Sequence, residues 1–457
     1  MKHLLLIASI IFLKTSYSQD TMTVLTEQLF LLHVKEHHPV ALVANNNLTM
    51  AEQAVRMSKG AFDPVLFSGI DQKYYEGKTY FSTLSSGIKI PTRLGIDFKV
   101  MGDWNKGDFL NPERVVPSNG LTYLGVEVPI GRGMFTDERR TQLKRAAVAV
   151  DQSYAERQLT LNELLYQAGQ QFINWQEQEA QLLLAQEGLA LAKIRLEQMR
   201  VNAELGERPA IDTVEASAQY YNRLVDMEQR RLNALNSRLM VENYMWENGT
   251  IPLVLESYVL PEGLRVSAPL KLLSDSIGQH PIISWYDLKL RDLQLERKLK
   301  IEQLKPQLTV NYNLLQTPNN LFSANYSFTN YKWGATFYMP ILLRKERSSL
   351  AITQLKFAST QLEFQQKQRD LRTKQIQVRN EWNTNVIQSE SSLTAAQRYQ
   401  QLSAAERSLF ELGESSLFLI NAREMSYLNA QSKYLEYLAK TRKSALAEQF
   451  VLGILGR

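Results

Sequence analysis

Cysteine is absent from this chain of 457 residues, and histidine occurs only five times. The lack of cysteine excludes disulfide bridges, thiolate metal sites, a cysteine nucleophile and a lipid-anchored N-terminal cysteine. Neighbouring His37 and His38 point to different sides of a helix, and no pair of carboxylates is placed to complete a metal site with them. No Ser-His-Asp or paired-carboxylate arrangement stands out. The sequence therefore predicts no metal, no cofactor and no enzyme.

Long apolar runs are also missing. Beyond the N-terminus no stretch approaches the ~18 continuous apolar residues of a transmembrane helix. At the N-terminus, basic Met1-Lys2-His3 precedes the apolar segment Leu4 to Leu13, and small residues follow at Ser16 and Ser18. This pattern predicts a secretory signal peptide over residues 1–18, with a buried first helix as the alternative. A secreted chain of this kind is periplasmic, extracellular, or held in an outer membrane by β-strands.

The sequence also has little excess of charge of either sign. The net charge is +5, and the charged residues, 22% of the chain, place Lys and Arg beside Glu and Asp along helical segments. This distribution is typical of a solvated helical surface rather than of a nucleic-acid site.

A heptad repeat dominates what is present. From Ala147 to Ala203 every seventh residue is apolar, and a second apolar stripe runs from Leu159 to Val201 with only Glu187 off the pattern. A seven-residue period predicts a coiled-coil-like helix over Thr136 to Ala203, about 100 Å long. Because the two stripes lie roughly 140° apart, the helix has a neighbour on each side. Such a helix suits a wall or a tube.

Two regions change to a period of two. Apolar residues alternate with polar or small ones from Leu94 to Val100 and from Leu124 to Val128, which predicts half-buried strands. An additional hairpin is expected around Tyr80 to Trp104. After the strands, the long helix ends at Glu204-Leu-Gly-Glu207, and a returning helix follows from Ile211 to about Trp246.

The same order of strands, long helix, turn and returning helix then occurs a second time. His38-Pro39 recurs 242 residues later as His280-Pro281, and the tetrapeptide Glu204-Leu-Gly-Glu207 recurs 207 residues later as Glu411-Leu-Gly-Glu414. Strands alternate again from Leu308 to Leu314 and from Trp333 to Met339. Several landmarks at shared offsets predict an internal two-fold sequence repeat.

The chain resembles the TolC-like outer-membrane efflux family over essentially all of its mature length. The resemblance rests on Ala61-Phe-Asp-Pro64 before the first strand, Val128-Pro-Ile130 and Met339-Pro-Ile341 after the strand pairs, and the two hairpin turns. It implies a mainly α fold with a membrane β-barrel. Three copies would form an α-helical barrel of long coiled-coil hairpins and one shared 12-stranded-type β-barrel, with about four strands from each chain. One chain's few strands cannot close a barrel, and lipid does not tolerate open edges, so oligomerisation is also expected on physical grounds.

The predicted domains follow from this plan. After the signal peptide come periplasmic helices (19–63), outer-membrane strands with extracellular loops (64–130) and a long helical hairpin (131–247). An equatorial connector (248–271) leads to the second set: periplasmic helices (272–305), strands (306–341), and a helical hairpin with a C-terminal equatorial segment (342–457). Aromatic residues near the strands, among them Tyr74, Tyr80, Tyr331 and Trp333, are expected to include an interfacial belt.

The resemblance also implies two sites at the hairpin ends. Asp212, with Glu215 one helical turn on, falls where the family closes its pore with acidic rings, and Arg208 could pair with an acid or a carbonyl there. The second hairpin has Leu419 and Ala422 at the matching positions, so it lacks the acidic pair. A solvated helix start is the alternative for Asp212. The turns would contact a periplasmic adaptor protein, unless the Gly residues serve as helix caps alone; the residues concerned are Leu205, Gly206, Glu207, Leu412, Gly413, Glu414 and Ser415.

The sequence thus predicts the outer-membrane exit duct of a tripartite efflux or type I-like secretion system, a homotrimer working with an adaptor (membrane fusion) protein and an inner-membrane pump. It carries no nucleotide-binding or proton-coupling motif, so the pump must supply the energy. The alternatives are a secreted coiled-coil scaffold or adhesin without a pore, and a periplasmic glycan- or peptide-processing enzyme, which would need an acid-base site. The cargo is left open.

Overall fold

The structure, a computed structural model, describes residues 23–265, 276–318 and 326–457. The predicted signal peptide, residues 1–18, lies outside the described residues. Parts of the predicted connector, of the second set of periplasmic helices and of the second strand region (residues 266–275 and 319–325) lie outside them too.

Long helices and one sheet make up most of the described chain. In chain order the elements are β1 (Thr23–Leu25), α1 (Glu27–His37), α2 (Pro39–Lys59), β2 (Val65–Tyr75), β3 (Lys78–Pro91), β4 (Asp97–Lys106), β5 (Leu121–Gly131), α3 (Glu138–Glu204), α4 (Ala210–Glu242), β6 (Trp246–Glu247), β7 (Ile251–Pro252), β8 (Val259–Pro261), α5 (Pro281–Glu302), β9 (Gln307–Gln316), β10 (Tyr331–Tyr338), α6 (Arg344–Glu411) and α7 (Leu417–Leu452). Short 3₁₀ turns occupy Gly60–Phe62, Pro112–Arg114 and Ser276–Gln279.

The chain divides into two compact units. The first comprises the described residues of Met1–Asn45, Arg157–His280 and Asp370–Arg457, and the second those of Asn46–Glu156 and Pro281–Arg369. The first unit is built mainly from helices, with two small two-stranded sheets, β1 with β8 and β6 with β7. The second contains the six-stranded sheet.

The heptad stripe of α3 forms the core of the first unit. Leu161, Ala168 and Trp175, three successive members of the predicted stripe, are at most 1% exposed. They pack with residues of α1 and α4 in one apolar cluster, in which Phe30 of α1 stacks on Phe172 with ring centroids 5.2 Å apart. A second cluster joins Ile173 to residues of α7. The two predicted stripes therefore do give α3 a neighbour on each side.

The two long helices are almost equal in length. Helix α3 has 67 residues and α6 has 68, and the helices that return from them, α4 and α7, have 33 and 36. Along α6 every seventh residue from Phe357 to Val378 is apolar, and position 385 departs from this pattern. Asn385 there donates a hydrogen bond from Nδ2 to Oγ of Ser444 on α7, 2.6 Å away, so the polar residue is satisfied inside the helix pair.

The sheet of the second unit is antiparallel throughout, in the order β10-β9-β5-β4-β3-β2. The sheet has six strands, two more than the roughly four that each chain is expected to give to a barrel, because β2 and β3 add a hairpin to β4, β5, β9 and β10. Part of the predicted strand from Leu94 to Val100 is wrong. Leu94 lies in the turn between β3 and β4, where Gly95 has a φ of +86°, and β4 begins only at Asp97.

The strand register places apolar and polar residues on opposite faces of the sheet. One row runs Leu66, Ile88, Val100, Leu124, Leu314 and Tyr331 across the six strands. The next row on the other face runs Val65, Lys89, Lys99, Gly125, Asn313 and Lys332. Successive side chains alternate between faces, so the whole sheet has one apolar and one predominantly polar side.

Within residues 23–265, 276–318 and 326–457, no helix carries an apolar segment long enough to traverse a bilayer.

Candidate functional site

The first hairpin turn lies between α3 and α4. Gly206 has a φ of +75°, which an L side chain rarely adopts, and the amide of Glu207 donates to the carbonyl of Asn202 at 2.8 Å. This left-handed glycine with its backward hydrogen bond satisfies the last carbonyls of α3. Leu205, Gly206 and Glu207 are all exposed. The predicted contact residues of this turn therefore lie at the surface of the unit.

The second turn, between α6 and α7, has the same backbone geometry. Gly413 has a φ of +80°, and the amide of Glu414 donates to the carbonyl of Leu409 at 2.9 Å, each atom 207 residues after its counterpart in the first turn. Leu412 is 73% exposed. Ser415 differs from the other predicted contact residues, because it is half-buried and its Oγ lies 2.5 Å from Oε1 of Glu406.

The three predicted gate residues have different surroundings. Asp212 lies in the first turn of α4, half-buried, and no described residue forms an ion pair or hydrogen bond with its carboxylate. Oε1 of Glu215 accepts a hydrogen bond from Nδ2 of Asn421 on α7, 3.2 Å away. The guanidinium of Arg208 lies over the ring of Phe410, 5.1 Å from the centroid. Its pairing with an acid or a carbonyl stays a prediction.

A buried ion pair joins the two hairpins further along α3. Nη1 and Nη2 of Arg195 donate to the two carboxylate oxygens of Glu424 on α7, both at 2.7 Å. Each residue is only 7% exposed. Arg407 of α6 reaches the same carboxylate at 3.4 Å, and Asn421 links Arg195 to Glu215. One polar network, consisting of Arg195, Glu215, Arg407, Asn421 and Glu424, therefore connects helices α3, α4, α6 and α7.

An apolar cluster lies between this network and the turns. Leu196 and Met199 of α3, Ala216 of α4 and Leu417 and Ile420 of α7 are its buried members, with Tyr220 and Phe410 packed against it. The two hairpin ends are thus held together by a dry cluster, by the network, and by the contact of Arg208 with Phe410. A movement of one hairpin against the other must break some of these contacts.

The sequence does not mark out four residues of this network as site residues: Arg195, Arg407, Asn421 and Glu424. In the sequence each of them reads as an ordinary charge or amide on a long helix. One sequence signal does point to Arg195. It lies between Ile194 and Leu196, which belong to the two apolar stripes, and a charged side chain that is buried there requires a partner of opposite charge. No spacing rule gives that partner, which lies 229 residues further along the chain.

Burial also shifts the pKa of ionisable side chains elsewhere in the first unit. Burial raises the pKa of the Glu177 carboxyl on α3, although Lys443 of α7, 3.3 Å away, acts in the opposite direction. Burial lowers the pKa of His33 and of His38, near the start of the chain.

In the part of the chain that the structure describes, no group of three or more His, Asp or Glu side chains is arranged to hold a metal ion.

The sheet is a second candidate site, and its exposure is inverted relative to that of a water-soluble sheet. Leu66 and Ile70 on β2 and Phe337 on β10, all on the apolar face, are between 65% and 77% exposed. On the polar face, Asp97 is 6% and Thr83 is 8% exposed. An apolar face that runs across six strands and is exposed on five of them indicates a surface that is covered by something apolar.

Charged residues pair along the polar face near the helical end of the sheet. Lys89 Nζ lies 3.0 Å from Oδ2 of Asp97, and Arg139 of α3 lies 3.1 Å from Oδ1 of the same carboxylate. Lys99 pairs with Glu127 on the neighbouring strand. Aromatic residues occupy the opposite end, where Tyr74 and Tyr75 end β2, Trp104 lies near the end of β4, and Tyr331 begins β10.

A scan against models of known protein families finds no match, and no curated protein matches the sequence. Solved structures with the same fold do exist. The Campylobacter jejuni CmeC outer membrane channel is 11% identical, with a TM-score of 0.67 over 96% of this chain and 90% of that one. The Neisseria gonorrhoeae MtrE outer membrane channel, in its open state, is 12% identical, with a TM-score of 0.68 over 96% and 93%. The outer membrane protein VceC of Vibrio cholerae is 11% identical, with a TM-score of 0.67 over 93% and 96%.

These structures cover nearly the full length of both chains in each comparison. The resemblance that the hairpin turns and strand borders predicted is therefore confirmed at the level of the fold: the chain has the fold of the TolC-like outer-membrane channels.

Proposed function

We propose that this protein is a passive exit duct of the outer membrane, the outermost component of a tripartite efflux or secretion system. The observation that carries the proposal is the two-faced sheet. Its apolar face is exposed on five of the six strands and half-buried on β9, whereas charged and hydroxyl side chains cover the other face. This is the arrangement of a membrane β-barrel, which has lipid outside and water inside. Strands of 8 to 14 residues also fit the length needed to cross an outer membrane at a tilt.

The assembly we propose is a homotrimer. In lipid, every strand edge must be paired, so one open sheet is not a stable end state. The near-equal long hairpins of the two halves suit repeated wall elements in a helical tunnel, and we propose that they derive from one duplicated unit. The relatives with the same fold are described as outer membrane channels, which supports a conduit rather than an enzyme.

The hairpin ends are the proposed meeting point with a periplasmic adaptor protein, itself bound to an inner-membrane pump. The exposed turn residues Leu205, Gly206, Glu207, Leu412, Gly413 and Glu414 would form the contact, with Ser415 supporting the second turn through Glu406. Asp212, Glu215 and Arg208 would act at the gate. Opening would then separate the two hairpins of each chain at the network and the cluster described above.

Planar-bilayer recording tests the duct. The protein is extracted from membranes with detergent, and its mass is measured by light scattering coupled to size-exclusion chromatography. We expect a trimer that inserts into bilayers and gives discrete conductance steps. A trimer that gives no steps in bilayers would exclude the duct.

The same preparation distinguishes the main alternative. A secreted coiled-coil scaffold would be released into the supernatant when membranes are washed with carbonate, and its extraction would not need detergent. We expect the protein to remain with the outer-membrane fraction, because its apolar sheet face would otherwise be in water.

A further inference from the structure

We propose that the wall of this duct contains eighteen strands, six from each of three copies, and that each copy is joined to the next by pairing between β2 and β10. The inference rests on the proposed trimeric duct and departs from the twelve-stranded barrel that the family resemblance implies. It predicts which edges of the chain meet a second copy.

The two outer strands of the sheet are the available edges. Among the described residues, β2 and β10 each have a sheet neighbour on one side only. They are 11 and 8 residues long and contain no proline. Long edges that lack a protective proline invite pairing with another chain, and in lipid such pairing is required.

Strand direction fits this pairing. Strand β2 runs away from α2 and β10 runs towards α6, so the two edges are antiparallel to each other in the sheet order, as neighbours in this sheet must be. Six is an even number, and the alternation of directions therefore continues unbroken when β2 of one copy meets β10 of the next.

The side-chain faces fit as well. Leu66 and Ile70 of β2 lie on the same side of the sheet as Trp333 and Phe337 of β10. These four are exposed by 65% to 77%, which makes the edges the most exposed part of the apolar face. Pairing of the two edges would continue the apolar surface around the ring.

The additional hairpin is part of the wall and not an appended loop. Strand β3 pairs with β2 over 11 positions and with β4 over 10. It has the same two-faced pattern as the other strands, because Leu84 and Ile88 lie on the apolar face, whereas Thr83 and Lys89 lie on the polar one. A loop that lay outside the barrel in water would not need an apolar side on both of its strands.

The strand number determines the bore. Barrel diameter grows roughly linearly with the number of strands, so eighteen strands give a barrel about 1.5 times as wide as twelve, in the range of barrels with an aqueous channel. Ionic and polar side chains such as Lys89, Lys99 and Glu127 would line it. We infer that the outer-membrane section of this duct admits bulkier polar cargo than a twelve-stranded wall would.

Disulfide trapping tests the edge pairing, and the absence of cysteine from the chain removes any background. Ile70→Cys on β2 is combined in turn with Trp333→Cys, Ala335→Cys and Phe337→Cys on β10, all on the apolar face. In the assembled protein we expect at least one combination to give covalent dimers and trimers on a non-reducing gel after mild oxidation. Thr336→Cys, on the opposite face, is the matched control and should not cross-link with Ile70→Cys.

A competing arrangement has its own pair. If only β4, β5, β9 and β10 formed the wall, β4 would meet β10 of the next copy, so Val100→Cys on β4 is combined with the same three β10 positions. In an eighteen-stranded wall these positions are three strand spacings apart, about 14 Å, beyond the Cα separation of about 7 Å that a disulfide can bridge.

The outcomes test the eighteen-stranded wall separately from the proposed duct. Cross-links from Ile70→Cys and none from Val100→Cys support the eighteen-stranded wall. Cross-links from Val100→Cys, or a trimer that is trapped by neither set, overturn it while leaving the conducting duct intact. A detergent-extracted protein that is monomeric and gives no conductance overturns the proposed function and also the eighteen-stranded wall, which rests on it.

Discussion

Arg195 and Glu424 form a doubly hydrogen-bonded ion pair between α3 and α7, with both N–O distances at 2.7 Å and both residues 7% exposed. A buried charge without its partner is expensive, so Glu424→Leu should lower the free energy of unfolding by about 3–5 kcal/mol. The double variant Arg195→Met/Glu424→Leu should be clearly more stable than the single one, since neither charge then remains. Chemical denaturation followed by circular dichroism measures both.

The control for this pair lies on the same helix. Arg200 and Glu197 are 3.1 Å apart but more than half exposed, and an exposed pair contributes little. Glu197→Leu should therefore leave the unfolding midpoint almost unchanged. Equal losses for Glu197→Leu and Glu424→Leu would contradict the structural role that we assign to the buried pair.

Asp212 should determine the cation response of the channel. Its carboxylate is half-buried and has no partner among the described residues, so three copies meeting at the hairpin ends would form a ring of carboxylates. Asp212→Asn should reduce block by divalent cations in bilayer recordings several-fold. Asp226→Asn, further along α4 and paired with Arg230, is the matched control. An unchanged cation response in Asp212→Asn would remove Asp212 from the gate without affecting the duct.

A charge placed on the apolar face of the sheet should prevent assembly. Ala335 and Thr336 are consecutive, both exposed in the single chain, and on opposite faces of β10. Lysine at the lipid-facing midplane costs about 2–4 kcal/mol, so Ala335→Lys should sharply lower the yield of folded protein in the outer-membrane fraction. Thr336→Lys should be tolerated. If both variants assembled equally well, the assignment of the two faces would be wrong.

Two histidines should make the first unit less stable in mild acid. Burial lowers the pKa of His33, helped by neighbouring His37 and opposed by Glu36, Glu247 and a hydrogen bond to Trp246, and burial alone lowers the pKa of His38. Below pH about 6.5 the unfolded chain binds more protons than the folded one, so stability falls as the pH falls. The thermal midpoint should drop between pH 7 and pH 5. His33→Gln/His38→Gln should flatten this slope, and an unchanged slope would exclude the two histidines as its source.

The long helices and turns could be predicted from the sequence because their signals are local. The heptad stripe through Leu161 and Trp175 predicts a helix and its buried side, and Gly206 and Gly413 mark the turns by their need for a positive φ. The strand region was predicted less well. Strand β3 contains Ser82, Ser85 and Ser86, which are weak strand formers, and it becomes a strand because β2 and β4 pair with it on both sides.

The candidate site could be predicted only in part for a similar reason. Turn residues are recognisable from their own neighbours in the chain. The partners in the polar network are brought together by packing between helices, so the pairing of Arg195 with Glu424 and of Glu215 with Asn421 depends on the register of α3 and α4 against α7. Arg208 shows the same dependence, because its contact with the ring of Phe410 joins two hairpins that are far apart in the chain.

Among the described residues, the first half of the chain has four strands between α2 and α3, and the second half has two, β9 and β10, between α5 and α6. Each strand carries the chain from one end of the sheet to the other, so a single additional strand would leave α3 starting at the wrong end. Strands can therefore be gained or lost only in hairpins. The duplication proposed above, followed by insertion of one hairpin, accounts for the difference between the halves, and the bore of the proposed wall can change in evolution only in steps of two strands per chain.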